Sequence, residues 1–482
     1  MILKGYIFGI GYAAVCLLLS MLLYKLGLEK KYTRKVVHIL VGFEWVILYH
    51  FMGAGVHFLA VCILFLLLLS VAYKGRLMPM IASDSDNAPG TVYYAIAMTG
   101  VAAVGCFVPS VMLPFGIGVM CTSLGDGLAG VAGQSIRSHN PKIYGNKSLL
   151  GTLTNVIASA LSAFVIASVY SVELGIVSCI FVGILSAELE LITPYGFDNI
   201  SVTWGTTAFA YALAYFDGAE KYVIPALLSP IIIMLARSKR ALTADGIIAA
   251  IVLDIAVAWA FGTAGFLILC LFFGGSIAID KLKKRHRATV GSDLGTKGDC
   301  RDCMQVAANG LAAFVSAVAL ILTENAIFTV PFVASMAEAF ADTAASGIGA
   351  FSKKTYDPFR LRKCEAGISG GISLIGTLAS LIAAAFITVS AYLTDKLALG
   401  VKEVVIVIVS AFLGAFFDSL LGSLAQAKYK CSVCGKICEG KEHCGSVAEL
   451  YSGLDIIDND VVNLLSGSFA AILATFLTIV IV

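Results

Sequence analysis

Residues 125–133 read GDGLAGVAG and residues 341–349 read ADTAASGIG, so Asp126 and Asp342 each stand among small residues next to long apolar runs. Both runs are flanked by further apolar stretches along most of the chain. Of 482 residues, 59% are hydrophobic and 13% charged, against roughly 25% charged in ordinary soluble domains. Mean hydropathy is +0.92. A formal charge of +2 supplies no basic field for nucleic acid. These figures exclude a soluble enzyme, a disordered scaffold and a nucleic-acid binder. They predict an all-α polytopic integral membrane protein with about 16 spans, at about 20 apolar residues each plus short connections. Lys4 precedes a long apolar run without a small-residue cleavage site, which predicts an uncleaved first span. The 13 cysteines show no secreted disulfide spacing.

Positive charge between the apolar runs is confined to alternate loops: Lys25 to Lys35, Lys74 and Arg76, Arg137 to Lys147, Arg237 to Arg240, Lys281 to Arg287, Lys353 to Lys363, and Lys428 to Lys441. By the positive-inside rule these loops are cytoplasmic. The expected location is a bacterial plasma membrane, with both termini outside and the active sites on the cytoplasmic face.

Polar groups are expensive inside a bilayer, so their clustering at the cytoplasmic ends is informative. Three elements recur in the same order. Arg34, His38 and Gly42 in RKVVHILVG answer to Arg301, Gln305, Asn309 and Gly310 in RDCMQVAANG. The Asp126 and Asp342 segments follow, and then Lys147, Ser148 and Gly151 in NKSLLGTL answer to Ser373 and Gly376 in GISLIGTL. Last, Glu188 ahead of Asp198 and Asn199 parallels Asp418 ahead of Asp458 and Asn459. The step from residue 38 to 126 exceeds that from 305 to 342 by about two spans, at about 20 residues each. An even difference keeps both aspartates on one side, giving a parallel repeat.

A carboxylate at a cytoplasmic helix end, a Gly-rich backbone, a basic loop and a Ser/Thr helix start together suit a nucleoside triphosphate with its magnesium. Phosphoryl transfer asks mainly for positioning and charge neutralisation. A site at the bilayer surface favours a lipid alcohol as acceptor. In the first half, the candidates are His38 and Asp126 for catalysis, Arg34, Lys35, Gly125, Lys147 and Ser148 for phosphate, and Asp126, Glu188 and Asp198 for magnesium. In the second, Asp342 is catalytic, Arg301, Gln305, Asn309, Lys353 and Ser373 bind phosphate or nucleotide, and Asp342, Asp418 and Asp458 hold magnesium. The general base is open between His38, Asp126 and Glu188.

On those residues, the stretch 1–218 resembles the phytol kinase and dolichol kinase family of CTP-dependent lipid kinases. The stretch 222–482 resembles the polytopic family that includes the plant phytyl-phosphate kinase, carried by Gly298 and Arg301 through Gly310, Asp342 through Gly349, Gly370 through Thr377, Asp418 with Gly422, and Asp458 through Asn463. The resemblance implies a fusion of two consecutive kinases. They would convert an isoprenoid alcohol to its monophosphate and then its diphosphate, with CTP or another nucleoside triphosphate as donor. The chain departs from the first family at Ile200 to Trp204, where an apolar residue and Pro are usual. A CTP-dependent lipid cytidylyltransferase and a transporter built from parallel repeats are the rival readings; midplane sites in broken helices mark transporters, whereas these acids abut loops.

The segment 428–445 is rich in cysteine. Cys431, Cys434, His443 and Cys444, with Cys438 as a substitute, follow a CxxCG turn of the zinc-knuckle kind. A structural zinc and simple reduced thiols are both open readings.

Overall fold

A computed structural model describes the chain except residues 76–89, 136–139, 145–146, 194–195, 291–299, 353, 358, 361, 365–368, 395, 436 and 439. Helices dominate. The chain divides into two compact units, Met1–Ile231 and Ile232–Val482. The first contains α1 (Ile2–Lys25), α2 (Lys30–Gly42), α3 (Glu44–Met52), α4 (Val56–Lys74), α5 (Gly90–Phe107), α6 (Met112–Met120), α7 (Gly127–Ser135), α8 (Leu149–Tyr170), α9 (Ile176–Ile192) and α10 (Asp198–Tyr215). After α11 (Val223–Ser238), the second contains α12 (Ala244–Val290), α13 (Cys303–Thr323), α14 (Thr329–Gly349), α15 (Leu374–Tyr392), α16 (Val401–Leu424) and α17 (Asn459–Ile481).

Twelve helical segments among the described residues are long and apolar enough to cross a membrane. The protein is an all-α polytopic membrane protein. The sequence predicts about 16 spans at about 20 residues each, and the difference has a physical origin. The shorter or more polar α9, α10 and α14 fall outside the twelve, and α12 joins two apolar runs across a turn at Gly262 with φ 59° and ψ −148°. Large apolar side chains such as Leu18, Leu67, Ile157, Leu322 and Ile472 point outward, as a lipid-facing surface requires.

Each unit is built around one buried helix. In the first, α6, a π-helical turn (Cys121–Asp126) and α7 form a continuous rod whose apolar window is 83% buried, against 22% for α1. In the second, α14 is buried without interruption from Thr329 to Ala341. A helix enclosed all round belongs to a bundle centre, and these central helices carry Asp126 and Asp342.

Each central helix is followed by a small hairpin and a Ser-capped helix. The hairpins pair β1 (Lys142–Tyr144) with β2 (Lys147–Ser148), and β3 (Thr355–Asp357) with β4 (Arg362–Cys364). Ser148 Oγ accepts from Gly151 N at the start of α8, and Ser373 Oγ from Gly376 N at the start of α15. Such caps satisfy an amide the helix leaves unpaired. In both units the backbones meet at a glycine pair: a Cβ at Gly133 would lie 3.7 Å from Gly151 Cα, and one at Gly349 3.5 Å from Gly376 Cα. The repeat read from sequence is thus matched by the same local packing. Between α16 and α17, β5 (Lys428–Lys430) pairs with β6 (Ile437–Cys438) and β9 (Glu449–Ser452), and β7 (Glu442–His443) with β8 (Ser446–Val447).

Candidate functional site

In the first unit, the amphipathic α2 lays Lys35 and His38 against the π-helical turn. Lys35 Nζ lies 2.8 Å from Asp126 Oδ2 and 3.2 Å from the Asp126 carbonyl. Gly130 makes this approach feasible, since a Cβ there would lie 2.4 Å from Lys35 Cε. His38 Nε2 lies 3.0 Å from the Thr122 carbonyl and 3.5 Å from Asp126 Oδ2. A carbonyl only accepts, so Nε2 carries the proton that donates to Thr122, leaving Nδ1 with the lone pair in the neutral ring. A π-helical turn re-aims its residues relative to an α-helix and is frequent at functional sites.

Lys147, two residues before α8, bonds Glu190 and stands 3.9 Å from Asp198. Desolvation opposes its charge, but Glu190, Asp126 and Asp198 outweigh it and hold the Lys147 pKa above the usual lysine value. Three carboxylates and two ammoniums thereby form one electrostatic cluster spanning α2, the π-helical turn, the β2–α8 junction, α9 and α10.

The sequence points to Glu188 for this place, and the structure gives it to Glu190. Glu188 instead carries a buried Oε2 without a hydrogen-bond partner. A helical-face argument finds the difference: Cys179, Gly183, Ser186 and Glu190 are all buried and recur at helical spacing along α9. Behind the cluster, Asn155 Oδ1 accepts from both Ser159 and Ser186 at 2.9 Å. Thr122 and Thr203 hydroxyls meet at 2.7 Å.

In the second unit, the counterparts are drawn into structural bonds. Arg301 pairs with Asp280 at 3.0 Å. Gln305 and Asp302 form a reciprocal capping box at the start of α13, at 2.9 and 3.2 Å. Asn309 Nδ2 donates to the Gln305 carbonyl at 2.9 Å. Asp458 caps α17 by accepting from Asp460 N and Val461 N. Asp418 Oδ2 accepts from Ser466 Oγ at 3.4 Å and, with the amide turned to suit, from Asn463 Nδ2 at 3.2 Å. The sequence reading missed Glu338, one turn before Asp342 on the same face of α14. It is 2% exposed, and its Oε1 lacks a hydrogen-bond partner. Lys353 lies outside the described residues.

Among the described residues, the one set of three His, Cys, Asp or Glu side chains whose ligand atoms come within 4.8 Å of one another is Cys431, Cys434 and Cys444. No all-carboxylate cage of three is present among them. Magnesium that keeps its waters and takes one or two carboxylates plus phosphate oxygens is compatible with Asp126, Glu190 and Asp198.

Residues 227–471 match the family described as integral membrane protein DUF92. The chain belongs to that family. This DUF92 protein is 31% identical over 216 residues to phytol kinase of Synechocystis sp., covering 42% of the chain and 89% of the relative. It is 26% identical over 298 residues to the chloroplastic protein VTE6 of Arabidopsis thaliana, covering 61% and 75% respectively. An uncharacterized membrane protein of Methanocaldococcus jannaschii is 25% identical over 229 residues, or 47% of the chain and 90% of that protein. No solved structure matches the DUF92 chain.

Proposed function

We propose that the protein is a membrane lipid kinase that phosphorylates an isoprenoid alcohol to its monophosphate and then its diphosphate, using CTP or another nucleoside triphosphate with magnesium. The observation that carries this reading is the Lys35, Asp126, Lys147, Glu190 and Asp198 cluster, and the similarity to a phytol kinase supports it. Two lysines held by carboxylates are poised to exchange those partners for phosphate oxygens, which is the positioning and neutralisation phosphoryl transfer needs. The lipid hydroxyl oxygen forms the new bond to the γ-phosphorus, the bond to the β–γ bridging oxygen breaks, and the nucleoside diphosphate leaves. The hydroxyl proton goes to a base, for which His38 Nδ1 is available in the tautomer that donates to Thr122. Magnesium, when bound with the nucleotide, would offset charge on the phosphates.

In this reading the first unit makes the monophosphate and the second the diphosphate. Gln305 in place of a histidine suits a second step, because a lipid monophosphate is already anionic near neutral pH, its second pKa being roughly 6. The test is incubation of the purified full-length protein with a panel of prenols and γ-labelled nucleotides. Labelled prenyl monophosphate and diphosphate are expected. CDP-lipid as the product, or no transfer to any prenol, would overturn the assignment.

A further inference from the structure

The α16–α17 connection contains a second group of potential metal-ligating side chains that the kinase reading does not use. Its architecture is too slight to hold itself by burial. The strands β6, β7 and β8 are two residues each, and among the described residues the apolar cluster beneath them is only Ala427, Tyr429, Cys438 and Ala448. Small units with so little core need a covalent or metal staple. Within this unit the sulfurs of Cys431, Cys434 and Cys444 lie within 4.8 Å of one another. None is in a disulfide.

The backbone builds the convergence. Gly435 N donates to the Cys431 carbonyl at 2.9 Å, closing the Cys431–Gly435 turn, and Gly435 has φ 73°. The second arm repeats the device, with Cys444 at φ 55° followed by Gly445 at φ 73°. Left-handed backbone is costly for a non-glycine residue, so a Cys444 held there has its sulfur aimed by the fold. Cys434 and Cys444 are also exposed, whereas a cysteine serving only as a small hydrophobe is ordinarily buried.

We propose that Cys431, Cys434 and Cys444 bind a structural zinc ion that clasps this loop, with a further ligand completing a tetrahedral site. Two cysteine-glycine turns presenting thiolates to a common point suit zinc, a borderline-soft ion that favours sulfur in closed tetrahedral sites. Cys438 is excluded from the set because its Sγ faces the Tyr429 and Gly440 carbonyls at 3.6 and 3.4 Å. The side chain of His443 lies outside the described residues. The clasped loop enters β9 and then Asp458, the cap of α17, so the ion would fix the register between α16 and α17, the helices that carry Asp418 and Asn463.

The test is metal analysis of full-length protein purified in detergent without chelator from zinc-replete cells. One zinc per chain is expected in the wild type and in Cys438→Ser, and loss of zinc in Cys431→Ser, Cys434→Ser and Cys444→Ser. Should those variants fail to fold, thiol alkylation of the wild type decides. Cys434 and Cys444, though exposed, should react slowly until a zinc chelator is added and quickly afterwards. Wild-type protein without zinc, iron in its place, loss of zinc from Cys438→Ser, or alkylation of Cys434 and Cys444 unaffected by chelator would each overturn the proposal.

Discussion

Lys35 and Asp126 form a 2.8 Å ion pair in which both side chains are largely enclosed, 14% and 11% exposed. Removing one partner of a buried pair strands the other charge, at a cost of about 3–5 kcal/mol, while replacing both by apolar groups is often tolerated. Lys35→Met and Asp126→Leu should therefore each lower the melting temperature in detergent, and the double variant should recover much of it. Activity should not return with stability, because the proposed phosphate and metal partners are both gone. A double variant that regains prenol phosphorylation would mean that the pair is structural only.

The two aspartate helices lead to the second prediction. Asp126→Asn should abolish conversion of prenol to monophosphate and leave monophosphate to diphosphate intact. Asp342→Asn should make the monophosphate accumulate. Product profiles from folded protein check this, and loss of both steps in either variant would remove the two-site arrangement.

The third prediction separates Glu190 from Glu188. Glu190 is the leading neighbour that holds the Lys147 ammonium charged, so Glu190→Gln should lower the Lys147 pKa and speed its acylation at mildly alkaline pH. Glu188→Gln should leave that rate unchanged. A raised lysine pKa contributes stability that is full below the unfolded value and lost as pH rises through the folded one, so alkaline stability should fall earlier in Glu190→Gln. Equal acylation rates in wild type and Glu190→Gln would disconnect the two residues.

Much of this was legible in the sequence because membrane solvation leaves few places for charge. Composition predicts helices, and the recurrence of Asp126 with Ser148 and Asp342 with Ser373 predicts two similarly packed segments, which the equivalent caps and glycine pairs match. The acids on α9 were harder to read. Glu188 and Glu190 are two residues apart, so a motif places both, and only the burial of the Cys179, Gly183 and Ser186 face selects Glu190. Glu338 was hidden because the positions it packs against, Gly414 of α16 and Gly467 of α17, are remote in sequence, and Gln305 because a capping residue and a ligand look alike in one dimension. The π-helical turn ending at Asp126 has no composition signal, and its Thr122 carbonyl meets a histidine 84 residues away in sequence.

The last prediction concerns His38. Its Nε2 donates to the Thr122 carbonyl at 3.0 Å, a bond a glutamine amide can replace, so His38→Gln should fold with near wild-type stability. What glutamine cannot do is accept a proton. A prenol hydroxyl benefits from a base near neutral pH, and positioned base catalysis contributes roughly 10²–10⁴-fold. His38→Gln should then slow the first step by about 10²-fold or more and remove its acid-limb pH dependence. The second step should be unaffected, and Gln305→His should hardly alter diphosphate formation, since that residue is committed to the Asp302 capping box. The pair of variants is informative because, in the proposed assignment, each unit serves as the control for the other in one preparation. A His38→Gln first-step rate within a few fold of wild type, with the acid limb intact, would transfer the base role to a carboxylate of the cluster, with Asp126 next in line at 3.5 Å from the imidazole.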